Sequence, residues 1–167
     1  MAIHLGRLPF FRPDLVIYNS NAGARVHAPL GYNRSPHVVI SNGIDISAYQ
    51  RDAPTRAAAR KQYSVGEAVW IAMVCRYHPL KGVPRYLAAV RELRNNGGYR
   101  FGLAGPGMDA DNKTLADEIL AAGLDPADVA LYGTVDVPGF LAGLDVLVIA
   151  SHREGTPNIL LEAMACG

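Results

Sequence analysis

Apolar positions in this chain fall into short unbroken runs, separated by stretches with helical spacing. The plainest run, Val69-Trp70-Ile71-Ala72-Met73-Val74, has no polar interruption and reads as a strand buried on both faces of a parallel sheet. Runs over 38–40, 100–104, 129–132 and 145–150 have the same character, and 14–18 gives a short strand near the start. Helical spacing and stop signals predict helices over 22–30 (ending at Gly31), 54–63, about 83–95 (before the break Asn96-Gly97-Gly98), about 110–122 (stopping at Gly123) and 137–143. Residues 1–13 predict no regular element. Strands alternating with helices through short Gly-rich loops imply right-handed crossovers. The fold class is α/β: a Rossmann-like parallel sheet with helices on both faces.

After the strand over 145–150 the chain turns through Gly155 and enters a last helix, with Thr156 as its expected N-cap and Pro157 at the first helical position. Ile159, Leu160, Leu161, Ala163, Met164 and Ala165 make this helix apolar all round, except for Glu162. A carboxylate there faces a large desolvation cost unless something polar meets it. Glu154 stands just before the turn, and Asn158 lies one turn from Glu162 on the same face. The N–H groups around Thr156, Asn158 and Ile159 point out of the helix start. A strand, an anion-ready helix start and two carboxylates together indicate a ligand site. The plainer alternatives are a chance hydrogen-bond partner for Glu162 and a solvated loop acid at Glu154.

In open α/β sheets, ligands bind beyond the carboxyl ends of the strands. Three more loops fall there. Cys75-Arg76-Tyr77-His78-Pro79-Leu80-Lys81-Gly82 sets two cations, Arg76 and Lys81, before a helix start whose dipole disfavours cations. A phosphate between them resolves that conflict, because guanidinium, ammonium and helix N–H groups form such a site; two solvated loop charges are the other reading. His78 reads as structural. Gly105-Pro106-Gly107 either lets a ligand approach the backbone or is simply a turn. Tyr132-Gly133-Thr134-Val135 could edge a planar base or only connect strand to helix.

Bulk properties narrow the function. With half of 167 residues apolar the chain can build a real core, and a net charge of +1 without a basic block argues against nucleic acid and strong electrostatic membrane binding. Cys75 and Cys166 lack metal-type spacing and read as free, buried thiols of a reducing compartment. No apolar run approaches the length of a membrane span, and the N-terminus lacks a signal-peptide layout. The expected location is cytoplasmic.

Glu154, seven residues and Glu162, within Glu-Gly-Thr-Pro-Asn-Ile-Leu-Leu-Glu-Ala-Met-Ala-Cys-Gly, resemble the E-x7-E signature of retaining glycosyltransferases of family 4, the group 1 family. Val39-Ile40-Ser41-Asn42-Gly43-Ile44-Asp45 resembles that family's "PNGID" hinge segment, with Ser41 in place of the usual Pro. Arg76 to Gly82 resembles its Arg…Lys-Gly loop, and Val129 to Val135, followed by Asp145 and Ser151, resembles the stretch leading to the signature. Four pieces in register, over roughly residues 14–167, make the resemblance specific.

The resemblance implies a GT-B fold, two Rossmann-like domains with the active site in their cleft. Residues 1–36 would then be the tail of the acceptor domain, 37–50 the interdomain hinge, and 51–167 a donor-binding domain truncated at its C-terminus. The chain would be a fragment that supplies donor binding and transfers no sugar alone. Arg76 and Lys81 would bind the donor diphosphate and stabilise the departing nucleotide. Glu154 would hold sugar hydroxyls and Glu162 the ribose hydroxyls. Gly155, Thr156, Pro157 and Asn158 would contact sugar or phosphate, while Gly105, Tyr132 and Val135 border the base. No metal or other cofactor is expected, since these cations and the helix dipole take a divalent ion's role. The expected reaction moves a hexose from a UDP- or GDP-sugar to a carbohydrate or lipid-linked acceptor hydroxyl with retained anomeric configuration. Peripheral association of the full-length protein with the inner membrane face is compatible with such acceptors.

Other classes fit less well. A glycoside hydrolase also uses two carboxylates but leaves Arg76 and Lys81 unexplained. A nicotinamide dehydrogenase needs Gly-x-Gly-x-x-Gly where this chain carries Arg and Lys. An epimerase on the same fold and a catalytically inactive nucleotide-sugar binding module remain as alternatives.

Overall fold

The computed structural model describes residues 13–31 and 35–167. The expected irregular opening, apart from Pro13, lies outside the described residues. The chain divides into two compact units, residues 1–43 with 154–158, and residues 44–153 with 159–167.

In the first unit, β1 (Val16–Tyr18) and β2 (His37–Val39) pair in parallel, with Val16 opposite His37 and Tyr18 opposite Val39. Both strands are only three residues long, so the expected spans over 14–18 and 38–40 shift by one or two residues. Helix α1 (Asn21–His27) is capped by Ser20, whose hydroxyl accepts from the Gly23 N–H at 3.0 Å. The expected helix over 22–30 does not run through: Ala28–Leu30 form a 3-10 turn, ended by Gly31 in the left-handed region. Pro29 has no N–H to continue the α-helical ladder.

The second unit is built on a four-stranded parallel sheet ordered β5-β4-β3-β6, comprising β3 (Val69–Val74), β4 (Tyr99–Ala104), β5 (Val129–Leu131) and β6 (Val146–Leu147). The apolar run 69–74 becomes β3 residue for residue and pairs with β4 along its full length, Val69 to Tyr99 through Val74 to Ala104. Successive side chains of β3 point to opposite faces, and two separate cores result. On one face Met73, Phe101, Leu103 and Val129 meet Tyr86, Leu87 and Val90 of α3 (Val83–Leu93) and Leu115 and Ile119 of α4 (Lys113–Ala121). On the other, Trp70, Ala72, Val74 and Ala104 meet Phe140 and Leu141 of α5 (Val137–Gly143) and Cys166 of α6 (Asn158–Cys166). The α/β class with helices on both faces of a parallel sheet is therefore what the sequence indicates.

Element bounds differ where side chains take the backbone's bonds. Helix α4 starts at Lys113 and not near 110, because the Asp109 carboxylate accepts from the Asp111 N–H and Asn112 caps the Leu115 N–H at 3.2 Å. Helix α2 (Ala53–Gln62) is capped by Asp52, which accepts from the Thr55 N–H at 2.8 Å. Helix α3 gives way after Leu93 to a 3-10 turn over Arg94–Asn96.

Strand β6 is far shorter than the run 145–150. Asp145, expected within it, turns its carboxylate to α2: Arg56 approaches at 2.5 Å, Arg60 at 2.8 Å, and the Trp70 N–H donates at 2.8 Å. This pins α2 to the sheet edge. Beyond Leu147 only the Val148 N–H still reaches β3, at the Ala72 carbonyl.

Candidate functional site

In the second unit, the loops following β3, β4 and β5 are laced together by backbone bonds. The Gly105 N–H donates to the Gly133 carbonyl at 2.6 Å, the Gly133 N–H to Met108 at 2.8 Å, and the Tyr77 N–H to Pro106 at 2.8 Å. Gly105 has φ +124°, and a Cβ on it would overlap the Cys75 carbonyl, so only glycine lets these loops close up. The loop after β6 joins them: the His152 N–H donates to the Leu80 carbonyl at 2.9 Å, and a Cβ at Gly82 would overlap the Ala150 carbonyl. The glycine after Lys81 is thus explained by close backbone approach.

Within this edge Arg76 is exposed and Lys81 half-buried. Lys81 closes a 3-10 turn over Pro79–Lys81 whose cap is His78; its Nδ1 accepts from the Leu80 N–H at 3.2 Å. His78 therefore has the structural task expected of it. Helix α3 follows with Gly82 in the left-handed conformation at its start and no side chain capping it. A helix start without a side-chain cap, preceded by two cations, has the chemistry of an anion site.

Val135 is half-buried against the second core. The Tyr132 ring lies over Gly102 and packs with Trp70, Tyr63 and Phe140 at centroid distances of 5.7, 5.2 and 5.3 Å. Its ring belongs to the core, and burial raises its phenol above the ordinary range. Both backbone groups of Gly133 are taken by the bonds to Gly105 and Met108, so the exposed residue of the loop after β5 is Thr134.

Glu162 sits on α6, and the helix is less buried than its composition suggests. Leu160 is 41% and Met164 71% exposed, and Glu162 itself is half-buried. The desolvation expected at Glu162 is correspondingly smaller, and the Tyr49 phenol lies within electrostatic reach of its carboxylate. The Tyr49 ring packs on the second core, as do Ile159 and Ala163 of α6. Burial, then the nearby Glu162 charge, hold the Tyr49 phenol above its ordinary pKa. Sequence reasoning missed Tyr49; the only signal was a polar-tipped aromatic just after Asn42-Gly43-Ile44-Asp45.

Glu154 to Asn158 belong to the first unit. Glu154 and Gly155 are exposed, and Gly155 packs so closely on the turn before α1 that a Cβ there would lie 3.0 Å from Asn19 Oδ1. The Thr156 hydroxyl donates to the Asn19 carbonyl at 3.2 Å. Helix α6 starts at Asn158, so Pro157 precedes the first helical residue and does not occupy it. The expected Thr156 cap and Pro157 start are one residue early, since the hydroxyl of Thr156 turns to Asn19. Asn42, from the segment Asn42-Gly43-Ile44-Asp45, donates its Nδ2 to Asn158 Oδ1 at 2.5 Å and to the Thr156 carbonyl at 3.3 Å. This side chain fixes the turn before α6.

Among the described residues no three His, Cys, Asp or Glu side chains gather as a metal site would require, and no helix is long and apolar enough to cross a membrane. Cys75 and Cys166 are free thiols, Cys166 buried and Cys75 half-buried.

A parallel sheet with helices on both faces and laced loops at its carboxyl edge define a Rossmann-like domain. The chain belongs to the glycosyl transferases group 1 family, whose model matches residues 68–167. No curated protein sequence matches it. Among solved structures it is similar to HepE of Anabaena in complex with UDP and glucose, at 26% identity and TM-score 0.77, over 92% of this chain and 42% of that one. HepE with UDP-glucose superposes at TM-score 0.80 with 24% identity, over 99% of this chain and 45% of that one. The C-terminal domain of the group 1 glycosyl transferase LpcC of Francisella tularensis is 25% identical at TM-score 0.58, over 74% of this chain and 66% of that one. The chain thus spans less than half the length of HepE, and the fold is that of GT-B glycosyltransferases.

Proposed function

We propose that this protein is a glycosyltransferase that binds a UDP- or GDP-linked hexose and passes the sugar to an acceptor hydroxyl with retained configuration, as family 4 enzymes do. The observation that carries the reading is at the edge of the second unit: α3 starts without a side-chain cap, and Arg76 and Lys81 precede it in the chain, within the segment that matches the family. The complexes of HepE with UDP and UDP-glucose support a nucleotide sugar as the ligand.

In this reading Arg76, Lys81 and the α3 N-terminus take the diphosphate. As the glycosidic bond breaks, negative charge grows on the departing phosphate oxygen, and fixed cations there lower the barrier. They also supply what a divalent ion supplies elsewhere, so no metal is required. Glu162 accepts from the ribose hydroxyls. Glu154 accepts from the sugar hydroxyls, with Gly155, Thr156, Pro157 and Asn158 contacting sugar or phosphate. Gly105, Tyr132 and Val135 belong to the wall along the base. The acceptor is a carbohydrate or lipid-linked hydroxyl, and the work is done on the cytoplasmic side.

Calorimetric titration with UDP and GDP tests this. One of them binds, Lys81→Ala weakens it by about 10- to 100-fold, as loss of a charged hydrogen bond would, and Glu162→Ala abolishes measurable binding. Added chelator leaves the affinity unchanged. Unaltered affinity in both variants would refute the assignment.

A further inference from the structure

Tyr77, between the two cations in sequence, is fixed at three points. Its N–H donates to the Pro106 carbonyl at 2.8 Å. Its Cβ lies so near Gly107 that a Cβ there would approach to 3.1 Å. Its phenol donates to Glu118 Oε1 on α4 at 2.9 Å, and the ring packs on the first core. The second carboxylate oxygen, Glu118 Oε2, is buried with no hydrogen-bond partner among the described residues. Withdrawing a carboxylate oxygen from water without a partner destabilises the fold. A Phe–Leu pair of similar shape would avoid that cost. Stability alone therefore does not account for the Tyr–Glu pair, whereas a need to hold the loop after β3 in one place does. Burial, then the Glu118 bond and charge, push the Tyr77 phenol up to about 12, so it remains a donor across the working pH range.

We propose that Tyr77 is a positioning residue: anchored on Glu118, it sets the loop over 75–82 so that Arg76 and Lys81 are aligned for the two phosphates of a nucleoside diphosphate. This rests on the donor-site reading above and deepens it. The other end of the loop is tied independently, through Leu80 and His152, so loss of the anchor misaligns the cations without releasing the loop.

The test measures affinity for the tighter-bound of UDP and GDP, and for its monophosphate, alongside thermal stability. The variants are Lys81→Ala, Tyr77→Phe and the double variant Tyr77→Phe/Glu118→Leu. Tyr77→Phe is expected to weaken the diphosphate by about fivefold, the worth of roughly one hydrogen bond, and to leave the monophosphate nearly unchanged. The double variant recovers thermal stability, because both polar partners are gone, yet stays weak for the diphosphate. Diphosphate affinity that recovers together with stability would overturn the positioning role, as would wild-type affinity in Tyr77→Phe, provided Lys81→Ala binds weakly. Should Lys81→Ala bind like the wild type, or neither diphosphate bind at all, the donor-site reading itself fails and the proposal with it.

Discussion

Tyr49 and Tyr77 each set a phenol against a carboxylate, and both phenols are held above their ordinary pKa, first by burial. Tyr77, bonded to Glu118, acts as a fixed donor and not as a titrating group. Tyr49→Phe keeps the ring on the second core but removes the hydroxyl near Glu162. Nucleotide affinity is expected to fall about fivefold with little change in melting temperature, and isothermal calorimetry beside a thermal melt would show it. Arg76, Lys81 and Glu162 stood out in the sequence as candidates because each breaks a pattern: cations before a helix start, an acid in an apolar helix. Tyr49 and Tyr77 did not. An aromatic in apolar surroundings reads as core, and Glu118, which identifies Tyr77's task, lies 41 residues away on another element. Tyr132 shows the converse, since the loop it begins looked like a ligand edge while its ring closes over Gly102.

Among the elements, the anchoring of α2 governs acid stability. Burial alone would raise the Asp145 pKa; the Trp70 N–H and the Arg56 and Arg60 guanidinium groups outweigh it and bring it below 3.8. A carboxyl with a depressed folded pKa adds stability above its unfolded pKa and loses it as pH falls through the folded value. Asp145→Asn should therefore cost roughly 1–3 kcal/mol at pH 7, and the gap from the wild type should close as pH drops below the ordinary Asp range. Urea denaturation at pH 7 and pH 3 measures both ends. Asp145 also shows how element bounds escaped sequence reading. It opens an apolar run and looks like part of a strand, but three donors on two other elements take its carboxylate. Helix α2, capped by Asp52, falls within one residue of the expected 54–63. The strand order β5-β4-β3-β6 was not readable at all, because strands buried on both faces carry no mark of their neighbours.

Across the molecule the two units differ in how much they bury. The second holds two apolar cores, whereas the first, among its described residues, buries Ser35 and no apolar side chain. Local opening follows buried apolar contact, so β1 and β2 should open long before β3 and β4. Hydrogen exchange is the check: the Ile40 amide, bonded to the Tyr18 carbonyl, is expected to exchange faster by orders of magnitude than the Met73 or Leu103 amides. Equal protection would mean that the first unit draws its stability from the whole.

The aromatic packing around β3 has a practical side. Trp70 is the only tryptophan in the chain, fully buried, with Phe140 4.5 Å and Tyr63 5.3 Å away. Tyr49, Val135 and Ile159 pack on the same core. The protein thus carries one tryptophan, selectively excited at the red edge of its absorption, set in the unit that holds Arg76, Lys81 and Glu162. Its emission reports unfolding of that unit alone, and a nucleotide settling beside Tyr49 and Val135 would register in the same signal without any added label.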